Sequence, residues 1–116
     1  MTKLSEKNEL ASYSDLRLVT LQLQKDFMMF AEDIEVEDIQ TFEELEKIIF
    51  SEIIELLHRN KSKLTQIIYR IDIPEKAISE ALHPENEEGF ERAISRLMVE
   101  RTKLKIEIRK SMSEDY

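Results

Sequence analysis

Residues 41–58 read TFEELEKIIFSEIIELLH, a segment that combines a helix start signal with a wide apolar face. Thr41 and Glu44 have the spacing of a capping box, in which each side chain satisfies a free backbone N–H group of the first helical turn. Apolar residues then recur at steps of three and four, the spacing of one helix face. The segment predicts a central helix from Phe42 to about His58. Its main face comprises Phe42, Leu45, Ile49, Ile53 and Leu56, and Ile48, Phe50, Ile54 and Leu57 widen it.

The chain before this segment predicts one helix and one loop. Residues 1–13 are polar, and we interpret them as a loose lead-in, after which Ser14 or Asp15 can cap a first helix. Residues 32–40 predict an extended acidic loop whose apolar residues reach the core. The apolar residues of this first helix are Leu16, Val19, Leu23, Phe27 and Phe30, and those of the loop are Ile34, Val36 and Ile39.

The chain after it predicts three more helices. A third helix spans about residues 62–71, and Pro74 begins a fourth because proline suits a first helical turn. Pro84 ends that helix, and a last helix follows over about residues 87–111, roughly 37 Å long at about 1.5 Å per residue and longer than its predecessors. The fold expected is all-α, a single compact bundle of four to five helices over residues 14–116 with a long C-terminal helix. The fourth helix is expected to turn Ala77, Ile78, Ala81 and Leu82 inward.

Composition excludes several classes of protein. One glycine and two prolines among 116 residues are too few for the turns of a sheet-rich fold, and one glycine excludes a glycine-rich phosphate loop. The absence of cysteine excludes disulfides, thiolate nucleophiles and zinc ribbons, and it suits a reducing compartment. The start of the chain has no apolar leader, and no run approaches the roughly 18 residues of a membrane span. We expect a cytoplasmic protein that does not enter a membrane.

Charge is distributed unevenly. The formal net charge is −8, which repels nucleic acid at long range, so we expect a protein rather than a nucleic acid as the partner. Residues 1–55 carry 14 acidic and 5 basic residues, whereas residues 56–116 carry 11 acidic and 12 basic residues. The basic residues of the second part include one run at Arg59, Lys61, Lys63 and Arg70 and another at Lys103, Lys105, Arg109 and Lys110.

Two Glu-x-x-His pairs raise the question of a metal site, since four-helix di-iron proteins use this spacing. The pairs are Glu55 with His58 and Glu80 with His83. At about 100° per residue, both pairs point away from the apolar face of their helix. We therefore expect no metal, no cofactor and no catalytic residue, and a protein that is not an enzyme.

Residues 64–82 resemble a DNA-binding helix-turn-helix in the spacing of Ile73, Ile78 and Leu82. Two positions depart from that pattern, because Asp72 stands where glycine is usual and Ile68 where a small residue is usual. The second helix would present two carboxylates to the phosphates and neither Arg nor Asn to the bases. A nucleic-acid-associated regulator that uses this corner is the alternative function.

The order of elements, the corner at residues 69–75 and the basic last helix are together similar to small uncharacterised cytosolic all-helical proteins of Bacteroidetes-type bacteria. This resemblance implies a fold class and no assigned activity.

The last helix is the best candidate for a functional surface. Phe90, Ile94, Leu97, Arg101, Leu104 and Ile108 step alternately by four and three, as in the a/d seam of a coiled coil. A second set of apolar residues, Val99 and Ile106, faces the opposite side and needs a cover of its own. The leading hypothesis is a non-enzymatic protein–protein interaction module, either a homodimer formed through this helix or a binder of another protein, in which the acidic half of one copy approaches the basic end of the other. The candidate interaction residues are Val99, Arg101, Leu104, Ile106, Ile108 and Arg109.

Overall fold

The computed structural model describes the backbone of residues 2–114 and the side chains of residues 15–112. The described residues form five α-helices and no strand, which confirms the all-α bundle with a long C-terminal helix. In chain order the helices are α1 (Thr2–Met28), α2 (Phe42–Arg59), α3 (Lys61–Ile71), α4 (Glu75–Leu82) and α5 (Phe90–Glu114). Helix α5 packs against all four others.

Helix α2 supplies the centre of the core. The Thr41 hydroxyl accepts the backbone N–H of Glu44 at 3.1 Å, as the capping box predicts. The return bond differs by one residue, because the Glu44 carboxylate accepts the backbone N–H of Gln40 at 3.3 Å rather than that of Thr41. Four residues of the predicted main face are fully enclosed, namely Leu45, Ile49, Ile53 and Leu56, and Phe42 is half-buried. The expectation that Ile54 widens this face is wrong, because its side chain is exposed.

Helix α1 is longer than predicted. It begins at Thr2 rather than at Ser14 or Asp15, because residues 2–13 contain neither glycine nor proline and nothing in them interrupts a helix. The side chains of the lead-in predicted for residues 1–13 lie outside the described part. With 27 residues, α1 exceeds the 25 of α5, so the prediction that the last helix is the longest is wrong.

A left-handed residue ends α1 and aims the chain inward. Ala31 has φ 60°, and the backbone N–H of Glu32 reaches back to the carbonyl of Phe27 at 3.1 Å, the pairing of a Schellman motif. Residues 32–40 then form a loop, as predicted, but a turn at residues 37–38, where Asp38 has φ 61°, interrupts its extended course. Ile34 is buried, and Val36 and Ile39 are half-buried against the core.

The corner between α3 and α4 is built on another left-handed residue. Asp72 has φ 65° and ψ 49°, and its backbone N–H bonds to the carbonyls of Ile68 and Tyr69. Ile73 is buried beyond it, and Pro74 precedes the first turn of α4 as predicted. The expectation for Leu82 is wrong: this side chain is 61% exposed, because α4 ends there after eight residues.

The connection between α4 and α5 delays the start of the last helix. The side chain of Asn86 donates to the Ala81 carbonyl at 2.9 Å and accepts the backbone N–H of Glu88 at 3.1 Å, which holds a turn at this point. Gly89 follows with φ 87°. Helix α5 therefore begins at Phe90, three residues after the predicted start at Glu87.

Candidate interaction surface

The buried line of α5 winds around the helix. Ile94, Met98, Thr102 and Ile106 are all buried and follow one another at steps of four. Because four residues turn an α-helix by about 400°, each step moves the line by about 40°. A seam that lies on the buried side in the first half of α5 therefore faces solvent in the second half.

Val99 and Ile106 do not form an exposed strip, so this part of the predicted surface is wrong. Their exposed fractions are 3% and 6%, and both belong to the core. Helices α1 and α2 both pack against α5, and Asp15 of α1 forms an ion pair with Lys110 near the C-terminal end of α5. The bundle itself therefore covers the side of α5 that was expected to need a partner.

The a/d seam is divided into a covered half and an open half. Ile94 is fully buried, and Leu97 is half-buried in a recess between α4 and α5 that Ala77 and Ala81 also line. Beyond Leu97 the seam is open. Its apolar side chains there, Leu104 (43% exposed) and Ile108 (49%), form what we call the α5 stripe together with Met112 (62%), which lies four residues beyond Ile108 and beside the seam.

Three basic residues, the basic flank, follow one edge of the α5 stripe at the same steps of four. Arg101 donates from Nη2 to the Asp72 carboxylate at 3.1 Å. Burial lowers the pKa of Lys105, and the neighbouring charges of Arg101 and Arg109 lower it further, against the opposing field of Asp26. The basic flank comprises Arg101, Lys105 and Arg109.

Two glutamates, the acidic flank, follow the other edge. Glu100 and Glu107 are seven residues apart, so they lie on one side of the helix about two turns from each other. Both are exposed, and Glu100 accepts from Arg96 at 3.2 Å. The outer half of α5 thus presents an apolar centre between opposite charges. Such a surface can bind another helix.

A second cluster of charged groups lies where residues 32–40 meet α2 and α3. The Glu32 carboxylate is buried and accepts from Lys63 Nζ at 2.8 Å and from Arg59 Nη1 at 3.3 Å. These two cations hold the pKa of Glu32 low, at about 2. Burial and the adjacent Glu32 raise the pKa of Glu52 to about 7.

This cluster was not predicted from the sequence. Perturbed carboxylates often mark catalytic sites. Here the acceptor oxygens of Glu32 are already occupied by Arg59 and Lys63, so the cluster fastens the 32–40 segment to the ends of α2 and α3. The only sequence signal was that an acidic segment and a basic run both occur, and the partners are 27 and 31 residues apart along the chain.

The two Glu-x-x-His pairs point outward as predicted. His58, His83, Glu55 and Glu80 are all exposed, and His58 Nδ1 lies 2.9 Å from the Ile54 carbonyl oxygen of its own helix. Within the described residues, no three His, Asp or Glu side chains are grouped so that they could hold a metal ion. In the same part of the chain, no helix has the length and apolar content to cross a bilayer.

The helix-turn-helix-like corner has the turn of that motif and the wrong charges. Asp72 adopts the left-handed conformation that glycine usually takes at this position. The exposed side of α4 presents Glu75, Lys76, Ser79 and Glu80.

Comparison with known proteins adds no relative: no family model matches the chain, and neither the curated proteins nor the solved structures contain a match.

Proposed function

We propose that this protein is a non-enzymatic protein–protein interaction module that associates with itself through the α5 stripe. The observation that carries the proposal is the stripe itself, three large apolar side chains exposed on consecutive turns of a helix whose other apolar residues are covered. Single exposed apolar residues are common on protein surfaces. Side chains at steps of four touch one another and form one continuous surface, which marks a site of contact.

The charges beside the stripe support a specific contact rather than non-specific association. In such an interface the apolar centre supplies most of the affinity, and the flanking charges mainly fix orientation and partner choice. We therefore expect salt to weaken the association only modestly. A cytoplasmic location belongs to the same proposal and is supported by the absence of cysteine.

Sedimentation velocity combined with light scattering tests the proposal. The unmodified protein should form a dimer at high micromolar concentration, and Ile108→Glu should give a folded monomer. The matched control is Leu21→Glu, which places the same charge at a side chain of similar exposure (51%) on α1 and should leave the dimer intact. A wild-type protein that stays monomeric at these concentrations would remove the proposal's support.

The alternative function, a nucleic-acid-associated regulator, is favoured by one observation, the left-handed Asp72 in the α3–α4 corner. The carboxylates on α4 oppose it, since they would face the phosphates. Fluorescence polarisation with labelled duplex DNA at low salt is the test. Binding that Lys76→Glu abolishes would support the alternative, and the absence of binding would exclude it.

A further inference from the structure

The two flanks of the α5 stripe carry opposite charges, and this determines how two copies can meet. Glu100 and Glu107 follow one edge, and Arg101, Lys105 and Arg109 follow the other. We infer that two copies of this chain associate with their α5 helices parallel, so that the acidic flank of each copy faces the basic flank of the other. The inference rests on the self-association proposed above and adds its geometry.

The argument is one of symmetry. Two identical helices that meet face to face are related by a two-fold axis, which runs either along the helices or across them. An axis along the helices makes them parallel and exchanges the flanks, so that acids meet bases at both edges. An axis across them makes them antiparallel and keeps each flank on its own side, so that Glu107 meets the partner's Glu107. Like charges at such an edge disfavour the contact.

The spacing along the helix agrees with the parallel arrangement. Leu104 and Ile108 occupy d and a positions of the seam, which places Glu100 and Glu107 at g positions and Lys105 at an e position. In a parallel two-stranded coiled coil, a g residue pairs with the e residue five positions later on the other chain. Glu100 is therefore placed to pair with the partner's Lys105.

Helix α4 limits the contact to the C-terminal half of α5. Leu97, the seam residue before Arg101, is half-buried in the recess that α4 and α5 share, so the partner cannot reach it. The two helices converge from Leu104 onward and diverge towards their N-terminal ends, where each carries its own α4 and each Arg101 stays paired with Asp72 of its own chain. The interface is consequently short, and we expect a dissociation constant in the micromolar range rather than a permanent dimer.

Disulfide trapping distinguishes the two arrangements, and the chain suits it because it contains no cysteine. Leu104→Cys and Ile108→Cys variants, one of them carrying a mass tag, are mixed and oxidised near the dissociation constant. A parallel dimer should give 104–104 and 108–108 disulfides. An antiparallel dimer brings position 104 of one chain to position 108 of the other, so a dominant mixed disulfide would overturn the inference.

A charge variant gives an independent measurement. Glu107→Gln removes one acid from the acidic flank without touching the stripe. In the parallel dimer the position opposite Glu107 is the partner's Met112, which is uncharged, so association should change little, whereas in an antiparallel dimer association should become tighter, because the repulsion between the two Glu107 side chains is lost.

Each outcome separates the two claims. If the unmodified protein does not dimerise in sedimentation, the proposed function fails. If it dimerises but yields mixed disulfides, no disulfides, or tighter association after Glu107→Gln, the proposed function survives and the parallel arrangement fails.

Discussion

Where the 32–40 segment meets α2 and α3, a buried carboxylate is held by two cations of the same chain, whereas along the outer half of α5 opposite charges flank an apolar stripe that faces solvent. Glu32 is 7% exposed and contacts both Arg59 and Lys63, while Ile108 is 49% exposed and Glu107 beside it is exposed too. In the first region the charges neutralise one another inside the fold. In the second they are arranged around a surface that the described residues leave open.

The difference between the two regions predicts whether a substitution changes the stability of the fold or the association of two molecules. A change in the Glu32 cluster removes bonds within the folded chain, so it should lower the free energy of unfolding. A change on the α5 stripe removes only a contact that forms between molecules, so it should alter association and leave the fold unchanged. The experiments below test this division, from the largest expected effect to the smallest.

The sharpest test compares two neighbouring isoleucines of α5. Ile106→Glu would bury a carboxylate without a partner and should lower the free energy of unfolding by about 4 kcal/mol or prevent folding. Ile108→Glu, two residues later, places the same charge at a half-exposed site and should change it by less than about 0.5 kcal/mol. Urea unfolding followed by circular dichroism measures both. Equal losses from the two variants would contradict the burial pattern of α5.

The second test removes one charge from each region. Glu32→Gln leaves Arg59 and Lys63 without their carboxylate and should cost about 2–3 kcal/mol, less than for a fully buried pair because the Arg59 side chain is 44% exposed. Glu107→Gln is the matched change on the acidic flank and should cost less than about 0.5 kcal/mol. The measurement is again urea unfolding. A Glu32→Gln protein as stable as the wild type would mean that the cluster does not fasten the segment.

The third test uses pH, because the two carboxylates of the Glu32 cluster have pKa values shifted in opposite directions. The pKa of Glu52 is raised from 4.5 to about 7, so between these pH values the folded state holds a proton that the unfolded state has released. Stability from this group therefore falls as the pH rises from about 4.5 to 7. The pKa of Glu32 is lowered to about 2, so its contribution is present above pH 4.5 and is lost as the pH falls towards 2.

Thermal unfolding between pH 5 and 7.5 measures this effect. The wild type should be more stable at pH 5 by about 1–2 kcal/mol. Glu52→Gln should remove most of that slope, and a smaller slope of the same sign should remain from Glu46, whose pKa burial also raises. A slope that is unchanged in Glu52→Gln would assign the pH dependence to groups outside the cluster.

Local signals predicted the helices well. Some signals act on the backbone within one helical turn, such as the capping pair at Thr41 and Glu44 and the proline at residue 74. For this reason α2, α3 and α4 begin and end within one or two residues of the prediction. Local signals also placed His58 and His83 on the outside, because each helix's own apolar residues define its inner face.

Features that depend on neighbouring helices could not be predicted in the same way. Which side of α5 is buried depends on how α1 and α2 pack against it, since Ile106 lies in the core that they share, and on α4, which forms a recess with Leu97 and leaves Leu104 open. The Glu32 cluster joins residues far apart along the chain. In an acidic segment, nothing in the sequence distinguishes the acidic residue that is buried from those that stay exposed. Sequence periodicity describes a helix alone, whereas burial describes it among its neighbours.

The smallest expected effect concerns the turn that aims Glu32 into its cluster. Ala31 has φ 60°, a conformation that costs an alanine about 1 kcal/mol relative to glycine. Glycine at this position removes the strain and keeps the Schellman bonds, but it also makes the unfolded chain more flexible, which offsets part of the gain. Ala31→Gly should therefore raise the free energy of unfolding by about 0.5 kcal/mol.

The matched control is Ala77→Gly inside α4, where the backbone is helical and the same substitution should lower the free energy of unfolding by about 1 kcal/mol. Opposite signs for one chemical change would show that residue 31 sits in the left-handed region in solution. Because that conformation sets the direction in which Glu32 leaves α1, it is also what brings the carboxylate to Arg59 and Lys63. If Ala31→Gly instead lowers the free energy of unfolding as much as Ala77→Gly does, residue 31 is helical and α1 continues through it. The turn would then not position Glu32, and only Arg59 and Lys63 would hold its carboxylate in the cluster.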